Sequence, residues 1–359
     1  MDGGNNSRRR QKLVYADFVN KTPGDRVVAG GVHTTILTDQ HEVYSCGINE
    51  GGTVPVKDLA AEETTRKLTV IEFTEEVKKE GRIVQLTSGA GFTAALTHRG
   101  SVIAWGNLRD ENGSHGQLGS SARTKLIRST YMADVTGKSL HRSVLEKSKL
   151  IKFSDIFAGG YWTMARATDG RIFACGLNNY GQLGFPLPNV ANNGTEGDSE
   201  EQNKKLKINR LTYSPAFPSD IKWTHTAGVK HIVARTDDGE VYGIGLNTDN
   251  ELGIGTYEGK DDEEHWRYFE LQKINFADGV EIAGITAALG CSIAWTDDGR
   301  AYGFGYDSVG QLGLGITEDR DKSVTTPRII KSKHLDDYKI ISVDLADNHS
   351  VFLAVEINE

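Results

Sequence analysis

A segment of the pattern V-Y-x-x-G-x-N-x-x-G-Q-L-G returns along this chain, and such self-similarity at long intervals is the mark of a repeat architecture. Five copies align: HEVYSCGINEGG from His41, GSVIAWGNLRDENGSHGQLG from Gly100, GRIFACGLNNYGQLG from Gly170, GEVYGIGLNTDNELG from Gly239 and GRAYGFGYDSVGQLG from Gly299. Their anchor glycines are Gly47, Gly106, Gly176, Gly245 and Gly305, spaced by 59, 70, 69 and 60 residues. Ahead of each anchor lies a second recurring segment: HTTILTDQH, FTAALTHRG, WTMARATDG, HIVARTDDG and CSIAWTDDG. A sixth copy of that segment, HSVFLAVEI, begins at His349.

Each unit reads as a hairpin. HIVAR and EVYGIG are short, β-branched and aromatic, and the Thr-Asp-Asp-Gly between them supplies turn residues. The GQLG segment closes a further loop, and stretches such as Thr326-Pro327-Arg328-Ile329 offer an outer strand. A unit of three or four short strands cannot bury both of its faces alone. Radial packing of such units removes long exposed edges, which predicts an all-β fold, a β-propeller of about six to seven blades, with a solenoid as the competitor. The incomplete copy at His349 favours the ring, with Leu13-Val14-Tyr15-Ala16-Asp17-Phe18-Val19 as the closing strand. The expected organisation is a basic disordered tail at 1–12 and a single propeller at 13–359, with repeats starting near 27, 82, 155, 222, 280 and 340.

Composition narrows the function. A net charge of −8 over 359 residues argues against a body that binds nucleic acid across its whole surface. Cys46, Cys175 and Cys291 lie more than a hundred residues apart, so no CxxC zinc or redox motif exists, and a reducing compartment is expected. The opening MDGGNNSRRRQK has no apolar core behind its charges, unlike a secretory signal, and no stretch is long and apolar enough to predict a membrane span. No P-loop, GxSxG or HExxH is present, and the Gly303/Gly305 and Gly313/Gly315 pairs lack the third glycine of a dinucleotide fingerprint. Neither covalent catalysis nor a cofactor is expected.

The repeated motif, with its Thr-Asp-Asp-Gly turn, resembles the repeats of the regulator of chromosome condensation family over residues 27–357. The resemblance implies a seven-bladed propeller. It also gives meaning to one irregularity: from anchor to final glycine the motif takes eight residues in three units but thirteen in the second, Gly106–Gly119. In the family's exchange factor for the small GTPase Ran, a similar Phe-Arg-Asp-Asn-Asn-Gly insertion forms a wedge against the nucleotide site. Here Leu108, Arg109, Asp110, Glu111, Asn112 and Gly113 occupy that place. The resemblance implies exchange by stabilising the nucleotide-free GTPase, which requires differential affinity between states and no covalent step.

Two departures from the family pattern stand out. A repeat is missing after Gly119, and the hairpin apices that carry acidic and His side chains in the exchange factor here read Ala90-Gly91 and Val229-Lys230. Lys230 and Asp347 are the expected GTPase-facing apical residues, Asp347 being the one apical carboxylate. Arg8, Arg9, Arg10 and Lys12 form a basic arm suited to chromatin phosphates or nuclear import. The expected partners are therefore a Ran-like GTPase and chromatin, for a chromatin-associated monomer of the nucleus with the cytoplasm as a second location, and with no membrane partner. The competing expectation is a non-catalytic propeller scaffold for protein–protein or chromatin interaction. Photoreceptor relatives would need clustered tryptophans, whereas the five here are scattered among the repeats.

Other features read as architecture. Residues 122–152 hold eight Lys or Arg against Asp134 and Glu146, and read as a solvated loop or a second anion-binding patch. The acidic runs 196–201 and 258–264 read as inter-blade loops. His33, Phe92, Trp162, His231, Cys291 and His349 occupy equivalent positions, so they are expected to pack at the start of each hairpin, each His bonded to neighbouring backbone.

Overall fold

The structure, a computed structural model, describes residues 26–106, 145–146, 149–187, 207–256, 265–277 and 279–357. Blade one is the antiparallel sheet β1 (Arg26–Ala29), β2 (His33–Leu37), β3 (Val43–Ile48) and β4 (Thr64–Val70). Blade two has β5 (Ile83–Ser88), β6 (Phe92–Thr97) and β7 (Val102–Gly106). A small pair, β8 (Leu145–Glu146) and β9 (Lys149–Leu150), precedes blade three: β10 (Phe153–Gly159), β11 (Trp162–Ala167), β12 (Ile172–Leu177) and β13 (Lys207–Tyr213). Blade four is β14 (Trp223–Ala227), β15 (His231–Thr236), β16 (Val241–Leu246) and β17 (Arg267–Lys273). Blade five is β18 (Ile282–Ala288), β19 (Cys291–Thr296), β20 (Ala301–Tyr306) and β21 (Ser323–Ile329). Blade six is the pair β22 (Tyr338–Ala346) and β23 (His349–Glu356).

The sheets follow one another as propeller blades, each strand pairing with its neighbour in sequence. The anchor glycines have a common geometric cause. Gly47, Gly176, Gly245 and Gly305 sit where the third strand slips register against the fourth. There φ is +122°, +115°, +103° and +99° respectively, the left-handed region that glycine adopts without strain.

Apolar side chains meet between sheets. Leu37, Val54, Leu86, Ala95 and Trp105 fill the junction of blades one and two. Phe92, Phe153, Ile156 and Phe173 fill that of blades two and three. Trp162, Met164, Phe217, Trp223 and Ile244 fill that of three and four. Val233, Ile293, Phe304, Val343 and Leu345 run from four to six. Each buried Val, Leu, Ile, Phe or Met among them contributes about 1.5–3 kcal/mol of hydrophobic stabilisation. Trp162 and Trp223 are wholly buried in this packing, so they present no surface cluster.

Among the described residues, blades two and three pack directly against each other. Gln85 spans the junction, donating Nε2 to the Ile156 carbonyl at 3.0 Å and accepting from the Ile156 amide at 3.3 Å. Lys152, at the end of the basic stretch, is built in through its carbonyl, which accepts from the Thr168 amide at 2.9 Å.

Among the described residues the row of blades ends at sheet six. In β15 the alternate residues His231, Val233 and Arg235 face blade five: His231 bonds Ser292, and Arg235 bonds the Ile282 carbonyl. The matching row in β23 is exposed: His349, then Val351 at 61 %, Leu353 at 59 % and Val355 at 46 %. The expectation that His349 packs like its counterparts is therefore corrected, because no described sheet lies against that face.

A methyl group at an anchor should be costly for two separable reasons. At Gly305 an added Cβ would stand 2.4 Å from the Gly290 carbonyl oxygen, whereas at Gly310, also at positive φ, it would meet nothing within 4 Å. Gly310→Ala is expected to cost roughly 1 kcal/mol and Gly305→Ala roughly 3 kcal/mol or more, measured by urea unfolding. Equal losses would mean that the contact with the next strand is unimportant.

Candidate functional site: the apical rim

The turns from first to second strand and the loops after each third strand emerge at the same end of every blade, because those two strands run in one direction. The turns approach their neighbours closely enough to exchange backbone hydrogen bonds: Gly31 N to Ala90 O at 2.7 Å, Ala90 N to Gly160 O at 2.9 Å, and Gly160 N to Gly228 O at 3.3 Å. Glycine is required at this approach, since a Cβ on Gly159 would lie 2.0 Å from the Gly228 carbonyl oxygen. Between blades five and six the stitch is a side chain, Asp347 Oδ1 accepting from the Leu289 amide at 3.2 Å.

The loop after each third strand is a strap with repeated chemistry. Its first residue accepts through a side-chain oxygen from the amide five residues on: Asn49 from Val54 at 3.1 Å, Asn178 from Leu183 at 2.9 Å, Asn247 from Leu252 at 3.1 Å and Asp307 from Leu312 at 2.9 Å. Val54, Leu183, Leu252 and Leu312 are fully buried. The N and L of the motif are thus the closing bond and plug of one loop. Next, the side chain at the Q position accepts from the amide two residues back: Gln182 from Tyr180 at 3.0 Å, Gln311 from Val309 at 3.0 Å and Glu251 from Asp249 at 2.7 Å.

Lys230 and Asp347 lie on this rim, at the turns of blades four and six. Asp249, on the blade-four strap, reaches the blade-five turn: a Cβ on Gly290 would stand 2.9 Å from its Oδ2. Burial raises the Asp249 carboxyl, and the Lys230 charge acts in the opposite sense. The buried Cys291 thiol is pushed up to about 12, first by burial, with Asp347, Asp307 and Glu251 adding to the effect. Acidic groups from three blades therefore gather around Cys291. Among the described residues no His, Cys, Asp and Glu groups assemble into a metal site.

Asp249, Glu251 and Asp307 are missing from the residues the sequence analysis singled out. The signal was present: N-E-L-G stands where the third and fifth units have G-Q-L-G, and in the fifth unit Tyr306-Asp307 stands where the third and fourth have Leu-Asn. The wedge residues Leu108 to Gly113, the arm residues Arg8, Arg9, Arg10 and Lys12, and the acidic runs 196–201 and 258–264 fall outside the described residues.

The strand-start histidines are bonded, but to the next blade's side chains, correcting the expected backbone partner. His33 Nε2 meets Thr93 Oγ1 and His231 Nε2 meets Ser292 Oγ, both at 2.9 Å. Burial lowers His33 to about 4 and His231 to about 3. Both are neutral junction groups.

Two models of the regulator of chromosome condensation (RCC1) repeat match the chain, at residues 298–353 and 153–182. The human regulator of chromosome condensation is 27 % identical over 405 aligned residues, covering 98 % of this chain and 86 % of the relative. The ultraviolet-B receptor UVR8 of Arabidopsis thaliana is 25 % identical, over 87 % of this chain and 58 % of the relative. Prp20p of Saccharomyces cerevisiae, described by its binding properties to Gsp1p and histones, superposes with a TM-score of 0.57 at 22 % identity, over 93 % of this chain and 82 % of its own. The chain carries regulator of chromosome condensation repeats and a β-propeller fold, and its relatives include proteins with different activities.

The buried histidines make the fold acid-sensitive. Their folded pKa values lie below the unfolded value near 6.5, so their contribution is complete above about pH 6.5 and is lost as pH falls toward 4. His231→Asn should flatten the loss of urea stability between pH 6.5 and 4 by about 2 kcal/mol. An unchanged slope would mean that His231 is charged in the fold.

Proposed function

We propose that this chain is a guanine nucleotide exchange factor for a Ran-like GTPase, acting at chromatin. The observation that carries the reading is the insertion confined to one motif, Leu108 to Gly113, in a chain similar over nearly its whole length to the human regulator of chromosome condensation. Function is commonly grafted onto a regular array through one extended loop. Asp110 and Arg109 supply a carboxylate and a cation able to compete for Mg²⁺ and phosphate groups. The described rim offers Lys230, Asp249 and Asp347 as polar groups for the same partner. The basic arm, Arg8, Arg9, Arg10 and Lys12, supplies salt-sensitive phosphate attraction that the acidic body lacks. The closing strand expected at residues 13–19 lies outside the described residues.

A scaffold is the second reading. It is favoured by the direct packing of blade two on blade three and by apices at Ala90 and Val229 that bear no acid.

A nucleotide-release assay separates the two. The full chain is expected to accelerate loss of a fluorescent GDP from Ran, and Asp110→Ala to slow that loss by roughly tenfold or more, about 1.4 kcal/mol per factor of ten. Asp347→Asn keeps an acceptor for the Leu289 amide while removing the charge, so a loss there reports on charge alone. No acceleration by the natural chain rejects exchange in favour of the scaffold. Deleting residues 1–12 is expected to weaken DNA binding, with a larger loss at 50 mM than at 200 mM salt.

A further inference from the structure

One carboxylate occupies a place where its neighbours carry hydrogen-bond donors. At the Q position of the strap, Gln311 donates Nε2 to the Tyr306 carbonyl at 2.9 Å. In blade one the same position is Thr53, whose hydroxyl donates to the equivalent carbonyl, Ile48 O, at 2.7 Å. Blade four has Glu251 there, and the equivalent carbonyl is that of Leu246. Glu251 is fully buried. Its Oε2 accepts from the Asp249 amide at 2.7 Å, as Gln182 and Gln311 accept at their positions, while its Oε1 has no partner. An ionised carboxylate has only acceptors, so it cannot supply the donor that the strap uses at Thr53 and Gln311.

We infer that Glu251 is held in the folded chain as a neutral carboxylic acid that stands in for glutamine, donating its proton within the strap, and that its ionisation makes this part of the rim pH-sensitive. The surroundings support a neutral form. The loop's own Asp249 repels a second negative charge, and Lys230 on the blade-four turn is the opposing cation. From blade five come the Cys291 thiol, neutral because burial raises it, and Ser292, whose hydroxyl donates to the Glu251 backbone carbonyl at 3.0 Å. Ser292 is also bonded to His231, held neutral by its burial. Asp307 and Asp347, the other acids near Cys291, add negative charge to the neighbourhood. Burial, the first of these causes, holds the Glu251 carboxyl at about 7.

The sign follows from linkage. A carboxyl raised in the folded state binds more protons folded than unfolded, so its effect lowers stability as pH rises from about 4.5 to 7, and the loss stays constant above that. This is opposite to the histidines of the same junctions.

The test compares urea unfolding of the natural chain and Glu251→Gln from pH 5 to pH 8.5. The two should be nearly equal at pH 5. The Gln variant should gain as pH rises, reaching an unfolding constant of the order of a hundredfold smaller near pH 8. Lys230→Ala should move the midpoint of this divergence to lower Glu251 acidity, that is, to higher pH. Infrared difference spectra in the folded state at pH 6 should show a neutral carboxylic acid band that Glu251→Gln removes. A constant gap between the two proteins over the whole range, a natural chain more stable than the variant at pH 8, or no such band would overturn the inference. All of these readouts are independent of any GTPase.

Discussion

No sheet in this molecule can bury its own two faces, and everything else follows from the need for a neighbour. The strands are short, and both of their faces carry buried side chains, as in Ile232-Val233-Ala234 or Thr163-Met164-Ala165. Such strands bury both rows only when another sheet lies on each side. Close approach of the turns then demands glycine, and the glycine-lined turns exchange backbone hydrogen bonds from blade one to blade four. The junction histidines and tryptophans serve the same end, since His33, His231 and Trp162 each hand a ring N–H or nitrogen to the adjacent blade.

The straps show how a repeat can be both uniform and individual. A closing amide or carboxylate and a buried Leu or Val set the loop geometry in blades one, three, four and five. Once geometry is secured this way, the remaining strap positions are free to vary in charge. Asn178 donates Nδ2 to the Phe185 carbonyl, whereas Asp307 at the same position leaves Oδ2 without a partner. Asp249 and Asp307 thus give one sector of the rim an acidic character that the architecture does not require, with Glu251 as a neutral acid between them.

The fold was largely legible because periodicity, turn chemistry and glycine placement all carried the same message. The hairpins about Asp237-Asp238-Gly239 and Asp297-Asp298-Gly299 and the outer strand through Thr326 and Ile329 were readable from residue type alone. The partners of the histidines were not. Which hydroxyl lies across a junction depends on the stagger of two blades, a relation between residues 60 apart in sequence for His33 and Thr93. The strap acids were legible only as departures from a pattern, and a departure has no physical meaning until the donor it replaces is known. The direct contact of blades two and three lay beyond reach for a similar reason. A shortened array can leave a gap or draw its neighbours together, and sequence spacing is the same in both cases.

The cysteines of blades one, three and five become informative in this light. Cys175 and Cys291 are fully enclosed, Cys46 partly so, and burial raises all three thiols. Cys175 and Cys291 cannot react readily while their blades stay shut, because the thiolate is the reactive form, whereas the half-buried Cys46 is the more open to reagent. Alkylation therefore acts as a built-in clock for opening at alternate positions around the array, and the order in which the three sulfurs are labelled would reveal where the propeller first comes apart.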